Sequence, residues 1–204
     1  MRVLIAFDKF KDVILLGVGG SATNDLGLGA LAALGFKFLE AAGTAIAAPT
    51  PATWERISRI DCSGAVRLPP VFIACDVTNP LLGPHGATAT FGPQKGLKAG
   101  DLPRLEAQAA RMAAMLCDAC GQPHSLANPP GAGAAGGIAF GLMVAGGAKL
   151  IPGFALVPDC FPSASGVKSD LQRSGQSNLI GYSGPALRVT GTGPGCRWHQ
   201  SMSL

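Results

Sequence analysis

The clearest order along the chain is a set of short apolar runs, each ending in a polar or glycine-rich loop. RVLIAF (2–7) and VILLGV (13–18) read as buried strands, the first delivering Asp8 to its C-terminal end. A helix from about 24 to 34 follows the second, with Gly35 as its stop, and FKFLEAAG then predicts a short strand and a turn. Residues 44–70 are weakly patterned and predict loops around a short helix near Trp54. VFIACDV (71–77) is the most strand-like run, and TNPLLGPHG after it is turn chemistry.

The pattern then changes period. In DLPRLEAQAARMAAMLCDAC, Leu102, Leu105, Ala109, Met112 and Leu116 share one helical face, Asp101 stands at the cap position and Gly121 ends the run. A glycine loop and helix over 131–148 come next, followed by an extended piece to Val157. Strands alternating with helices predict an α/β fold. One junction departs from that scheme. The runs 2–7 and 13–18 are joined only by DKFKD, which permits an antiparallel hairpin but not the helical crossover of a parallel pair. Beyond Pro158, Ser and Gly replace periodic apolar positions, predicting a poorly ordered tail without a core of its own.

Composition narrows the classes. In 204 residues, 48% are hydrophobic and 14% charged, which excludes a disordered polar chain and suits one sizeable domain, or one plus part of another. The net charge of +4 is scattered and aromatics are few, so no nucleic-acid surface is expected. Residues 131–148 carry no charge, but seven of these eighteen are glycine and Pro129 and Pro130 precede them. A loop leading into a buried helix fits better than a membrane span. The N-terminus lacks a leader pattern, and Cys75, Cys117 and Cys160 sit in apolar settings, so a reducing, cytoplasmic location is expected. Cys117 and Cys120 form a C-x-x-C within the amphipathic run, where burial is expected rather than zinc.

Candidate chemistry lies in the loops. GVGGSATND (17–25) and PPGAGAAGG (129–137) are glycine-rich turns opening helices, the kind of backbone that cradles anions. No Walker A pattern occurs. GAGAAG (131–136) matches G-x-G-x-x-G, but it follows two prolines and no acidic residue ends a second strand about 20 residues later. A dinucleotide-dependent oxidoreductase is therefore only a weak alternative. Asp8 and Asp76 stand at strand ends, Asp25 closes the first loop, and Lys95 lies between glycines in FGPQKG (91–96). Taken singly, Asp25 and Asp76 read equally well as turn braces, and Lys95 as a solvated cation. Taken together, glycine cradles, strand-end carboxylates and a loop lysine suit phosphoryl transfer.

The same stretches resemble the type-1 glycerate kinases. The resemblance is carried by IAFDKFK, by GVGGSATND with GLGALAALG, by ACDVTNPLLGPHGATATFGPQKG and by PGAGAAGGIAFGL, in the family's order. It implies a two-domain α/β enzyme that phosphorylates D-glycerate with ATP and Mg2+ in the cleft between its domains. It assigns Asp8, Asp25, Asp76 and Lys95 to catalysis. Lys9, Gly19, Gly20, Ser21, Thr23, Asn24, Asn79, Gln94, Gly131 and Gly133 are assigned to substrate or phosphate binding. Against that family the chain is shortened between Asp12 and Val13 and again after Val157. Residues 1–12 then read as a remnant of one domain, 13–157 as the middle domain and 158–204 as a divergent tail. Most of one domain, and with it the opposite wall of the cleft, is expected to be missing. That leaves open a non-catalytic relative that at most binds anions, and an exposed apolar surface prone to self-association.

Overall fold

The computed structural model describes residues 5–6, 13–19, 21–152, 187–190 and 197–200. Two apolar runs recognisable in the sequence become neighbours in a parallel sheet. Strand β2 (Ile14–Gly17) pairs with β5 (Val71–Cys75), Leu16 opposite Ile73, and β5 pairs in parallel with β6 (Lys149–Pro152). At the far edge β1 (Ile5–Ala6) runs antiparallel to β2, Ile5 opposite Leu16, giving the order β1-β2-β5-β6. That is the antiparallel pairing which the five-residue DKFKD link allows. A separate two-stranded hairpin joins β3 (Lys37–Leu39) to β4 (Arg59–Asp61).

Among the described residues, four α-helices lie between the strands in chain order: α1 (Leu28–Ala33), α2 (Ala87–Phe91), α3 (Leu102–Cys120) and α4 (Ala134–Gly146). Helix α4 is apolar nearly all round. Its Ile138, Ala139, Leu142 and Met143 cover Leu16, Val71 and Ile73 of the sheet, while its Phe140 and Val144 enter a second core with α3. Helix α3 is one-sided, burying Ala109, Met112, Ala113 and Leu116 against Trp54, Phe38 and Leu31. Each fully buried Leu, Met or Phe side chain among these contributes about 1.5–3 kcal/mol.

Several expectations shift in detail. The first helix begins at Leu28 rather than near 24, because Leu26 (φ 59°) and Gly27 (φ 77°) turn left-handed before it. The weakly patterned 44–70 stretch holds β4 as well as the expected short helix, a 3-10 turn at Trp54–Arg56. Asp101 makes no capping hydrogen bond. It ends a 3-10 turn in helical backbone (φ −90°, ψ −12°), whereas a capping side chain needs extended backbone to reach the next amides. Gly121 does end α3, at φ 62°. Helix α4 contains a kink, with Ala135, Gly136 and Gly137 all left-handed.

The chain divides into two compact units, Met1–Pro162 and Ser163–Leu204. In the second, β7 (Leu187–Thr190) pairs antiparallel with β8 (Arg197–Gln200). The rest of the expected tail, and the extended piece from 153 to 157, lie outside the described residues. Among the described residues, no helix is long and apolar enough to cross a membrane.

Candidate active site

The loop after β2 carries Ala22 to Asp25 along one side of a surface cleft of about 420 Å³. Thr50 and Pro51 line it too, and the other side is made by Gly92, Lys95, Gly96 and Leu97. Lys95 closes a 3-10 turn, Pro93–Lys95, and its ammonium reaches back across the cleft. It donates to the Thr23 carbonyl at 2.5 Å and to Ser21 Oγ at 3.2 Å, with the Phe91 ring 6.0 Å away. Burial pulls its pKa below the ordinary lysine value, and the Asp25 charge pulls the other way. Two of the three ammonium donors are thus used within the protein.

Asp25 lines the same cleft while bracing its own turn. Its Oδ1 accepts the Gly27 N–H and its Oδ2 the Gly29 N–H, both at 3.1 Å. Asn24 reaches into the protein instead, where its Nδ2 donates to Thr88 Oγ1 at 3.2 Å. The other end of that amide, Oδ1, is buried and has no partner among the described residues.

Asn79 organises a second cluster. Its carbonyl accepts the N–H groups of Gly131 (3.1 Å) and Gly133 (3.0 Å), and its side chain donates to the His85 carbonyl at 2.8 Å and to Thr90 Oγ1 at 3.2 Å. The Gly131 and Gly133 amides are therefore occupied by Asn79 rather than turned toward an outside anion. A Cβ on Gly133 would lie 2.3 Å from the Pro80 carbonyl, so backbone packs directly on backbone there. Asp76, just past the end of β5, and Gln94 are exposed, and neither lines the cleft. Gly19 is exposed with open space around it, and Asp8, Lys9 and Gly20 lie outside the described residues.

The structure thus gathers Ser21, Thr23, Asn24, Asp25 and Lys95, and separately Asn79, Gly131 and Gly133. Pattern reasoning missed α2, whose Thr88 and Thr90 each hold one of the candidate amides. The available signal was the pair of hydroxyls in ATATF, between the Asn79 and Lys95 motifs. Among the described residues, no three His, Cys, Asp or Glu side chains converge in a way that could hold a metal ion. The described cysteines, Cys62, Cys75, Cys117 and Cys120, are all free thiols. Cys117 is buried, and burial together with Cys62 pushes Cys120 up to about 11.

Residues 3–172 match the model of the glycerate kinase family. The chain is 40% identical over 155 residues to a glycerate kinase of Halalkalibacterium halodurans, covering 74% of this chain and 40% of that one. It is 38% identical over 178 residues to a glycerate kinase of Bacillus subtilis, covering 85% and 46%. Against glycerate 2-kinase of Escherichia coli the identity is 39% over 159 residues, covering 76% and 41%. A crystal structure assigned as glycerate kinase 2 from Salmonella typhimurium LT2 superposes with a TM-score of 0.66 at 38% identity, over 72% of this chain and 40% of that one. The chain therefore spans less than half the length of the relatives it matches. With most of its residues, from 3 to 172, inside the family's pattern, the chain belongs to the glycerate kinase family.

Proposed function

We propose that residues 13–157 form one wall of a glycerate kinase cleft, and that the reaction served is ATP-dependent phosphorylation of D-glycerate. The observation that carries this reading is the placement of the Lys95 ammonium on the Ser21–Asp25 loop, at the edge of an open cleft. An ammonium fixed by two hydrogen bonds and still facing the cleft is a ready point charge for a phosphate oxygen. A preorganised donor of this kind contributes about 3 kcal/mol when it meets charge that develops in the transition state. Asp25 already holds two amides, but a carboxylate has about four acceptor positions, so it can also take a glycerate hydroxyl. On the family resemblance alone, Asp76, which does not line the Lys95 cleft, is assigned to polar contact with glycerate or metal-bound water, and Asp8 to the base or metal side of the site.

The donor set fits ATP through Lys95 and Ser21. For Mg2+, the described residues offer single carboxylates rather than a cage. That suits an ion which keeps its waters and binds chiefly through nucleotide phosphates. ATP would supply the transferred phosphoryl group, while the residues here hold charge and orient the acceptor.

The test is ADP release by the purified chain with D-glycerate and Mg·ATP, beside K95M. Release above a no-glycerate control is expected, and K95M should lower it by about a hundredfold. Release no greater than the control would overturn catalysis by this chain.

A further inference from the structure

Thr88 is the one fully buried polar side chain among the described residues, 1% exposed. A buried hydroxyl is stable only with a partner, and here the partner is the Asn24 amide, 64 residues away in the chain. The same residue is tied to Lys95 through its backbone. The Thr88 carbonyl accepts the Gly92 N–H at 2.9 Å, and the Gly92 carbonyl accepts the Lys95 N–H at 2.9 Å. A Cβ on Gly92 would lie 2.3 Å from the Thr88 carbonyl, so this link has no slack. Thr88 therefore touches both sides of the cleft, the loop through its hydroxyl and the lysine turn through its carbonyl.

The far end of the Asn24 amide has no partner among the described residues. The hydroxyl of Thr88 is then the single described polar group that sets the orientation of this side chain. Neither residue type nor spacing forces the contact, because α2 is short and contains two β-branched threonines, which favour helix only weakly. The hydrogen bond lends α2 its place as much as α2 lends the loop its own.

We propose that Thr88 is a positioning residue of the cleft. By holding the Asn24 amide it fixes loop 21–25 at the distance from which Lys95 can reach both Ser21 and Thr23. This inference rests on the reading of the cleft as a phosphate-holding site. It predicts that the hydroxyl, not the methyl group, sets nucleotide binding, though Thr88 itself lies beneath the surface and touches no ligand.

The test compares the full chain with T88V, which keeps shape and loses the hydroxyl, and T88S, which does the reverse. Two quantities are read: hydrogen exchange of the Asn24 side-chain amide by NMR, and the KM for Mg·ATP against kcat in the ADP assay. In T88V the Asn24 amide should exchange roughly tenfold faster and the KM for Mg·ATP should rise roughly tenfold, with kcat changing less. T88S should stay within about twofold of the parent in both, a rescue that a merely space-filling role would not give. Asn24 exchange unchanged in a folded T88V overturns the proposal. So does a T88S chain that releases Asn24, a result that holds even if T88V fails to fold. If the parent chain turns over no ATP, the functional reading fails, and the exchange data still decide whether Thr88 positions Asn24.

Discussion

The glycine-rich loops at 17–25 and 129–137 look alike in sequence and differ in what their glycines meet. A side chain added at Gly17 or Gly19 would find nothing within 4 Å. A Cβ at Gly136 would lie 2.0 Å from the Thr23 carbonyl, and one at Gly133 would lie 2.3 Å from the Pro80 carbonyl. The first loop keeps an open edge on a cleft. The second is a spacer that lets one backbone lie on another, and the backbone it supports is the first loop itself, since Leu26 N–H donates to the Gly136 carbonyl at 3.0 Å. Glycine density alone cannot separate these uses, because an anion and a neighbouring carbonyl both require a missing Cβ.

Substitutions separate the two loops, and the largest effect is expected in the second. G136V introduces a clash with Thr23 and a β-branched residue at φ 69°, so it should destabilise the fold by more than about 4 kcal/mol. G19A should stay within about 0.5 kcal/mol. Urea unfolding of both variants checks the contrast, and equal losses would erase it. D25A falls between them. It frees the Gly27 and Gly29 amides at the entry to α1, a loss of about 1 kcal/mol by the same measurement.

The smallest effect concerns pH. Burial holds the Lys95 pKa below its ordinary 10.5, so the folded chain gives up this proton before the unfolded chain does. Between the folded value and 10.5 the unfolded state binds more protons, and stability should rise slightly with pH across that window. Phosphate affinity should fall over the same interval as the ammonium is lost. Titration of Mg·ATP binding and urea midpoints, each from pH 8 upward, should therefore move in opposite directions. In K95M both slopes should flatten.

How much of this was legible depended on whether local sequence or distant contact set the structure. Runs such as VILLGV and VFIACDV carry their own signal, because strands of a parallel sheet covered by a helix must be apolar. The Gly121 stop was readable for the same local reason. Helix α2 was not, since ATATF has weak helix propensity and its threonines are held by Asn24 and Asn79 from elsewhere. Strand β4 is only three residues long and gains its order from pairing with β3. At the site, the residue types of loop 21–25 and Lys95 were visible in the motifs. That Lys95 bonds the Thr23 carbonyl, and that Gly131 and Gly133 give their amides to Asn79, required the fold.

The hydrogen bonds that shape the cleft also bear on how the protein forms. The Asn24–Thr88 and Lys95–Ser21 contacts close sequence separations of 64 and 74 residues, whereas the turns of α3 close locally. Contacts across such spans must offset a loop-closure entropy that grows with length, so they form after the helices and hairpins that bring their ends together. The cleft is thus late in folding. During synthesis it cannot assemble until α2, the Lys95 turn and the glycines beneath loop 21–25 have all left the ribosome, so the phosphate binding proposed for it would be a readout of completed folding.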